Sequence, residues 1–126
     1  ANKEAPKIYG LERLDFTKPI MIVEGPFDSL FLPNCLAAAG ADIPINKFKD
    51  KQLICIFDNE KRNPQIIRRM EHVLDQGHSL VIWPEHIQDK DINEMILSGL
   101  DVERLINIHK VSGLVGKIKL SRWRKC

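Results

Sequence analysis

Ile20-Met21-Ile22-Val23, entered through Pro19 and closed by Glu24-Gly25-Pro26, decides the fold of this chain. An apolar run without polar alternation suits a strand covered on both faces, as in a parallel sheet. Two more runs share that character: Leu53-Ile54-Cys55-Ile56-Phe57, followed by Asp58, and Leu80-Val81-Ile82-Trp83, stopped by Pro84. Around them the apolar spacing becomes helical. Phe27 to Leu32 predicts a short helix ending at Pro33-Asn34. Asn63-Pro64 predicts an N-cap with proline at the first helical position, followed by a stripe of Ile66, Ile67, Met70, Val73 and Leu74 before Gly77. Asp91 caps a helix carrying Ile92, Met95 and Ile96 before Gly99, and Asp101 caps another through Ile106. Cys35 to Ala39 reads equally as strand or helix. Strands alternating with helices imply crossover connections, so the expected architecture is a doubly wound α/β layer structure.

The 126 residues suit one compact domain, and 44% apolar with 29% charged residues is the balance of a globular protein. No apolar run approaches the roughly 20 residues of a membrane span. The chain opens at Ala1 without a signal-peptide pattern, so the expectation is an intracellular protein and a piece of a longer one. Cys35, Cys55 and Cys126 form no C-x-x-C pair, which argues against a disulfide framework and a zinc ribbon; Cys55 is expected to be a small core residue. The histidines His72, His78, His86 and His109 have no metal-ligand spacing, and His86 is expected to face solvent. Charge is unevenly spread. Residues 110–126 hold six Lys/Arg and no acid, whereas the rest holds 13 bases against 17 acids, giving +6 on an acidic body of −4. That asymmetry fits a polyanion partner or, equally, a solvated extension.

In an open parallel sheet the functional crevice lies beyond the carboxyl ends of the strands. Here those positions are acidic. Glu24 follows the first run, Asp58 and Glu60 follow the second, and Asp89 and Asp91 lie a short loop past the third. Singly, each acid has an ordinary explanation: a cap at Asp91, loop charges at Asp58 and Glu60, an ion pair at Glu24. Together, acids after three successive strands point to hard divalent cations, whose charge relieves carboxylate repulsion.

Val23-Glu24-Gly25-Pro26-Phe27-Asp28 resembles the E-G-x-x-D motif of the TOPRIM domain of DnaG-type primases, topoisomerases and some nucleases. Phe57-Asp58-Asn59-Glu60 resembles that family's D-x-D, and Asp89-Lys90-Asp91 its D-P-D. With the basic end Ser121-Arg122-Trp123-Arg124-Lys125-Cys126, the chain looks most like the C-terminal part of tailed-phage DNA primases. The resemblance implies a Rossmann-like parallel sheet of about four strands flanked by helices, with Cys35 to Ala39 as a strand. It divides the chain into a lead-in at 1–18, a TOPRIM catalytic domain at 19–109 and a basic tail at 110–126. Glu60 in place of Asp lengthens a ligand by one methylene, and Lys90 in place of Pro sets a cation beside two acids.

The same resemblance implies roles. Glu24, Asp58 and Glu60 would be catalytic, and with Asp89 and Asp91 would hold Mg2+, for which Mn2+ would substitute. Asp28 and Gly25 would support the site. Lys61 and Arg62 would meet nucleotide phosphates, whereas Arg68 and Arg69 would cover a solvated helix face. Arg122 and Arg124 would meet nucleic acid, and Trp123 would either stack on a base or anchor the tail. The implied activity is DNA primase: a nucleotidyltransferase making short RNA primers on single-stranded DNA from ribonucleotides during replication. The expected partners are a replicative helicase and zinc-binding and basic domains outside this segment, in the cytoplasm of a phage-infected host. Alternatives are a metal-dependent nuclease, a topoisomerase, for which the only tyrosine is Tyr9, and a non-enzymatic receiver-like signalling module.

Overall fold

A computed structural model describes residues 7–9, 14–30, 32–39 and 52–125. In chain order these form β1 (Lys7–Tyr9), β2 (Ile20–Val23), α1 (Pro26–Ser29), β3 (Cys35–Ala39), β4 (Leu53–Ile56), α2 (Pro64–Asp75), β5 (Ser79–Val81), α3 (Ile92–Leu97), α4 (Val102–His109), β6 (Lys110–Val111) and α5 (Gly113–Lys125). One sheet runs in the order β1-β3-β2-β4-β5-β6. The inner strands β3, β2, β4 and β5 are parallel, and β1 and β6 join the edges antiparallel. The parallel core is the sheet of about four strands that the motifs imply; the two short edge strands carry no apolar run and are legible only from their pairing.

Side chains alternate across the sheet, and both faces are dry. Ile20, Ile22, Leu53, Cys55, Phe57 and Leu80 point to a cluster shared with α2 and α5. Val23, Ile54, Ile56, Val81 and Trp83 point to the opposite cluster, shared with α3 and α4. Two covered faces explain why the strands read as continuous apolar runs. Cys55 is fully buried, and burial pushes its thiol up to about 12, so it packs as a small apolar residue. The predicted caps form. The Asn63 side chain accepts from the N–H groups of Gln65 and Ile66, with Pro64 at the first position of α2. Gly77 at φ 84° and Gly99 at φ 86° end α2 and α3 in the left-handed conformation that glycine adopts without strain. Among the described residues no helix is long and apolar enough to cross a membrane.

The segment 110–125 departs from the expected tail. Lys110 and Val111 pair with Val81 and Leu80, and α5 then packs along α2 with Gly116, Leu120 and Trp123 buried. A Cβ on Gly116 would stand 2.7 Å from Leu74 Cδ2, so glycine lets the two helices approach. Leu114, Val115 and Ile118 are exposed on the outer side of α5. With apolar residues on two sides, the helix has no single stripe, and periodicity does not reveal it.

Leu120→Ala removes a core side chain rather than one from a solvated extension. It is expected to lower the unfolding free energy by about 2–5 kcal/mol, read from the urea midpoint. An unchanged midpoint contradicts the docking of α5.

Candidate active site at the carboxyl edge

The chain leaves β2 for β3 on one side and returns to β4 on the other, so the winding direction reverses between β2 and β4. At such a reversal the loops diverge and leave a crevice beyond the strand ends. Register fixes what lines it: Val23 pairs with Ile56, which brings Glu24 alongside the residues just past β4. Glu24 Oε2 accepts from the Asp58 backbone N–H at 3.3 Å, and Oε1 meets Arg69 Nη1 at 3.4 Å. Both oxygens of Glu24 are therefore oriented.

Asp58 is pushed up to about 7, first by burial and then by the charges of Glu24, Asp91, Asp28 and Glu60. The charges of those four acids, from three separate stretches of the chain, all bear on one carboxyl. Asp28 is 7% exposed, and its own carboxyl is raised by burial and by the charge of Asp91, opposed by the Asn93 N–H that donates to Oδ1 at 3.1 Å, and raised further by Glu24. Gly25 makes room for it: a Cβ there would stand 3.0 Å from Asp28 Oδ2.

The loop after β5 is tied to the end of β4 by Asn59. Its backbone N–H donates to Lys90 O at 2.6 Å, and its amide Nδ2 donates to Ile87 O at 2.9 Å and Asp89 O at 3.1 Å. Asp91 caps α3 by accepting from the Glu94 N–H, while Glu94 Oε1 accepts from the Lys90 N–H. Lys90 Nζ lies 3.7 Å from Glu60 Oε1 and offsets part of the acidic charge. Asp89 is occupied differently. Its Oδ1 accepts from Ser98 Oγ at 3.1 Å, and it is not among the acids whose charge raises Asp58.

The structure thus gathers Glu24, Asp28, Asp58, Glu60 and Asp91, and ties Asp89 to the far end of α3. Among the described residues no group of three or more His, Cys, Asp or Glu side chains is placed to hold a metal ion by itself. The all-carboxylate chemistry of the donors is nonetheless that of a hard cation, with any further ligands coming from outside the chain. Magnesium commonly keeps several waters and takes one or two carboxylates together with substrate phosphates. An open carboxylate edge suits that mode.

The basic residues are placed less simply than their sequence positions suggest. Arg69 is the guanidinium on Glu24, not a residue of a solvated face; it flanks the apolar stripe of α2 three residues after Ile66, the spacing that would have disclosed it. Arg68 is exposed, as expected. Arg62 Nη1 donates to Arg124 O at 3.4 Å and ties its loop to α5. Arg124 in turn faces Glu71 at 3.9 Å. Trp123 is 6% exposed within the core, so it anchors α5 and offers no face to a base. Arg122 and His86 are exposed. Asn59 was missed as a positioning residue; an amide between two acids of a D-x-E segment was the available signal.

No family model matches the chain. Over 99% of its length it is 36% identical to the DNA primase of Enterobacteria phage T4, and it spans 38% of that protein. The crystal structure of the Aquifex aeolicus primase, comprising zinc-binding and RNA polymerase domains, superposes on 74% of this chain with a TM-score of 0.52. The match covers 26% of that chain at 21% identity, so the likeness is one of fold.

The raised carboxyl of Asp58 sets a pH dependence. The folded state holds its proton up to about 7 while the unfolded chain releases it near 3.8, so Asp58 contributes a loss of stability as pH rises through that window. In metal-free buffer, Asp58→Asn is expected to flatten that fall in unfolding free energy, measured by urea denaturation from pH 4 to 7.5. A wild-type slope in the variant contradicts the raised carboxyl of Asp58.

Proposed function

We infer, from a chain homologous along nearly its whole length to part of a DNA primase, that this segment is the TOPRIM-type catalytic core of a DnaG-type primase. It would act on ribonucleotides and a single-stranded DNA template, in the cytoplasm of an infected host, alongside a replicative helicase and further domains of the same protein. The observation that carries this reading is the placement of Glu24 against Asp58, within range of the charges of Asp28, Glu60 and Asp91, beyond the reversal point of a parallel sheet.

Glu24 has its orientation fixed from two sides, by the Asp58 N–H and by Arg69. Its remaining lone pairs would serve as general base for the primer 3′-hydroxyl or as a metal ligand. Asp58 and Glu60 flank the turn held by Asn59 and would hold the ion, with Asp91 beside them; Asp89, bonded to Ser98, would have to change partner to join. Bound magnesium, or manganese in its place, supplies charge neutralisation for the attacking hydroxyl and the departing pyrophosphate. Asp58 is the residue most affected by such an ion, since a nearby cation favours its ionised form over the proton that burial favours. Lys61, next to Glu60, would meet nucleotide phosphate.

In the full-length protein, Glu24→Gln and Asp58→Asn are each expected to reduce primer synthesis by at least about a hundredfold. Manganese binding, followed by electron paramagnetic resonance, should weaken in Asp58→Asn, with circular dichroism as the check that the variant keeps its fold. Wild-type primer yield from both variants overturns the catalytic assignment.

A further inference from the structure

The loop between β5 and α3 carries Asp89-Lys90-Asp91, a cation set between two acids. The main chain of Lys90 is held on both sides. Its carbonyl oxygen accepts from the Asn59 N–H at 2.6 Å, and its N–H donates to Glu94 Oε1 at 3.0 Å. The Asn59 amide grips the same loop through Ile87 O and Asp89 O. Asp91, the next residue, is bound to the start of α3 as its N-cap. The root of the lysine is therefore fixed against the end of β4, beside the Asp58-Asn59-Glu60 segment.

From that root the side chain reaches back to the acidic edge, where Nζ stands 3.7 Å from Glu60 Oε1. The lysine side chain is 56% exposed and that of Glu60 32%. An ion pair so open to water contributes little to stability. Its effect is local: it sets a single positive charge on a carboxylate that a divalent ion would share with Asp58. An ammonium and a divalent ion on one carboxylate repel each other, so each weakens the hold of the other.

We propose that Lys90 is a specificity-determining residue of the acidic edge, its ammonium serving as a built-in counter-cation on Glu60 that competes with a divalent ion for that carboxylate. This deepens the primase reading, on which it rests for the presence of an ion. Metal ions alone then fill the edge weakly. Phosphate is an anion that pairs with an ammonium as a carboxylate does. A divalent ion that brings a nucleotide triphosphate therefore offers the ammonium a second partner, and the edge favours that complex over the bare ion.

The test uses the full-length protein and Mn2+ alone, with free ion followed by electron paramagnetic resonance. Lys90→Gln is expected to bind Mn2+ about three- to tenfold more tightly, from the repulsion of a single and a double charge about 6 Å apart in water, screened at about 0.1 M salt. Lys90→Arg keeps the charge and is expected to keep the wild-type affinity. In a Glu60→Gln background, Lys90→Gln is expected to change the affinity by no more than about twofold, because the ammonium has lost the carboxylate that holds it there. Calorimetric titration with the preformed manganese–ATP complex is expected to show no gain in Lys90→Gln. Unchanged or weaker Mn2+ binding by Lys90→Gln overturns the proposal, as does the full gain in the Glu60→Gln background or an equal gain with manganese–ATP. Circular dichroism checks the fold of each variant; both backbone bonds of residue 90 remain available to glutamine and arginine. Asp58→Asn separates this proposal from the catalytic reading. Wild-type Mn2+ affinity in that variant counts against the metal site itself, whereas weakened binding there without a gain in Lys90→Gln counts against Lys90 alone.

Discussion

Parallel pairing of β2 with β4 brings Glu24 and Asp58 to adjacent strand ends, where two negative groups would not otherwise settle. Burial of Ile20, Ile22, Val23 and the whole of Leu53–Phe57 holds that register. Slipping the pairing by one residue would turn apolar side chains away from one core and into the other, a mismatch repeated along the strand. Electrostatic repulsion at the carboxyl edge is thus imposed by hydrophobic packing below it, and it adds to burial in raising the carboxyl of Asp58.

Backbone and side-chain hydrogen bonds then determine which acids share that edge. Asn59 grips the loop carrying Lys90 and Asp91 through its N–H and its amide, so the third acidic segment cannot drift from the second. Arg69 and the Asp58 N–H orient Glu24, and Lys90 offsets Glu60. These half-exposed ion pairs contribute little stability, about 0–1 kcal/mol each, so their effect is orientation. Ser98 removes Asp89 from the group by giving it a partner on α3. The result is an acidic edge in which Glu24, Asp58, Glu60 and Asp91 are held by neighbouring segments while Asp89 is held apart.

The basic end of the chain is part of the same architecture. β6 extends the sheet beyond β5, and α5 lies against α2 through Gly116, Leu120 and Trp123. Docking gives each basic residue a fixed side. Lys117 and Arg124 face acids of α2, whereas Lys119 and Arg122 line a hollow at the end of β5.

Local sequence determined the buried parallel strands, the Asn63, Asp91 and Asp101 caps, the glycine helix ends, and acids at successive strand ends. Each depends on neighbours a few residues apart: apolar runs, a capping side chain, a residue free to take positive φ. Tertiary structure alone decided the rest. It chose Arg69 over solvent as the partner of Glu24, made Asn59 a clamp, withdrew Asp89, and turned an apparent tail into an edge strand and a core helix with Trp123 inside. Those outcomes follow from contacts between separate elements, from Asp89 with Ser98, nine residues apart, to Glu24 with Arg69, separated by 45. Only the folded sheet, with its order of strands, sets which of the many equivalent charges meet.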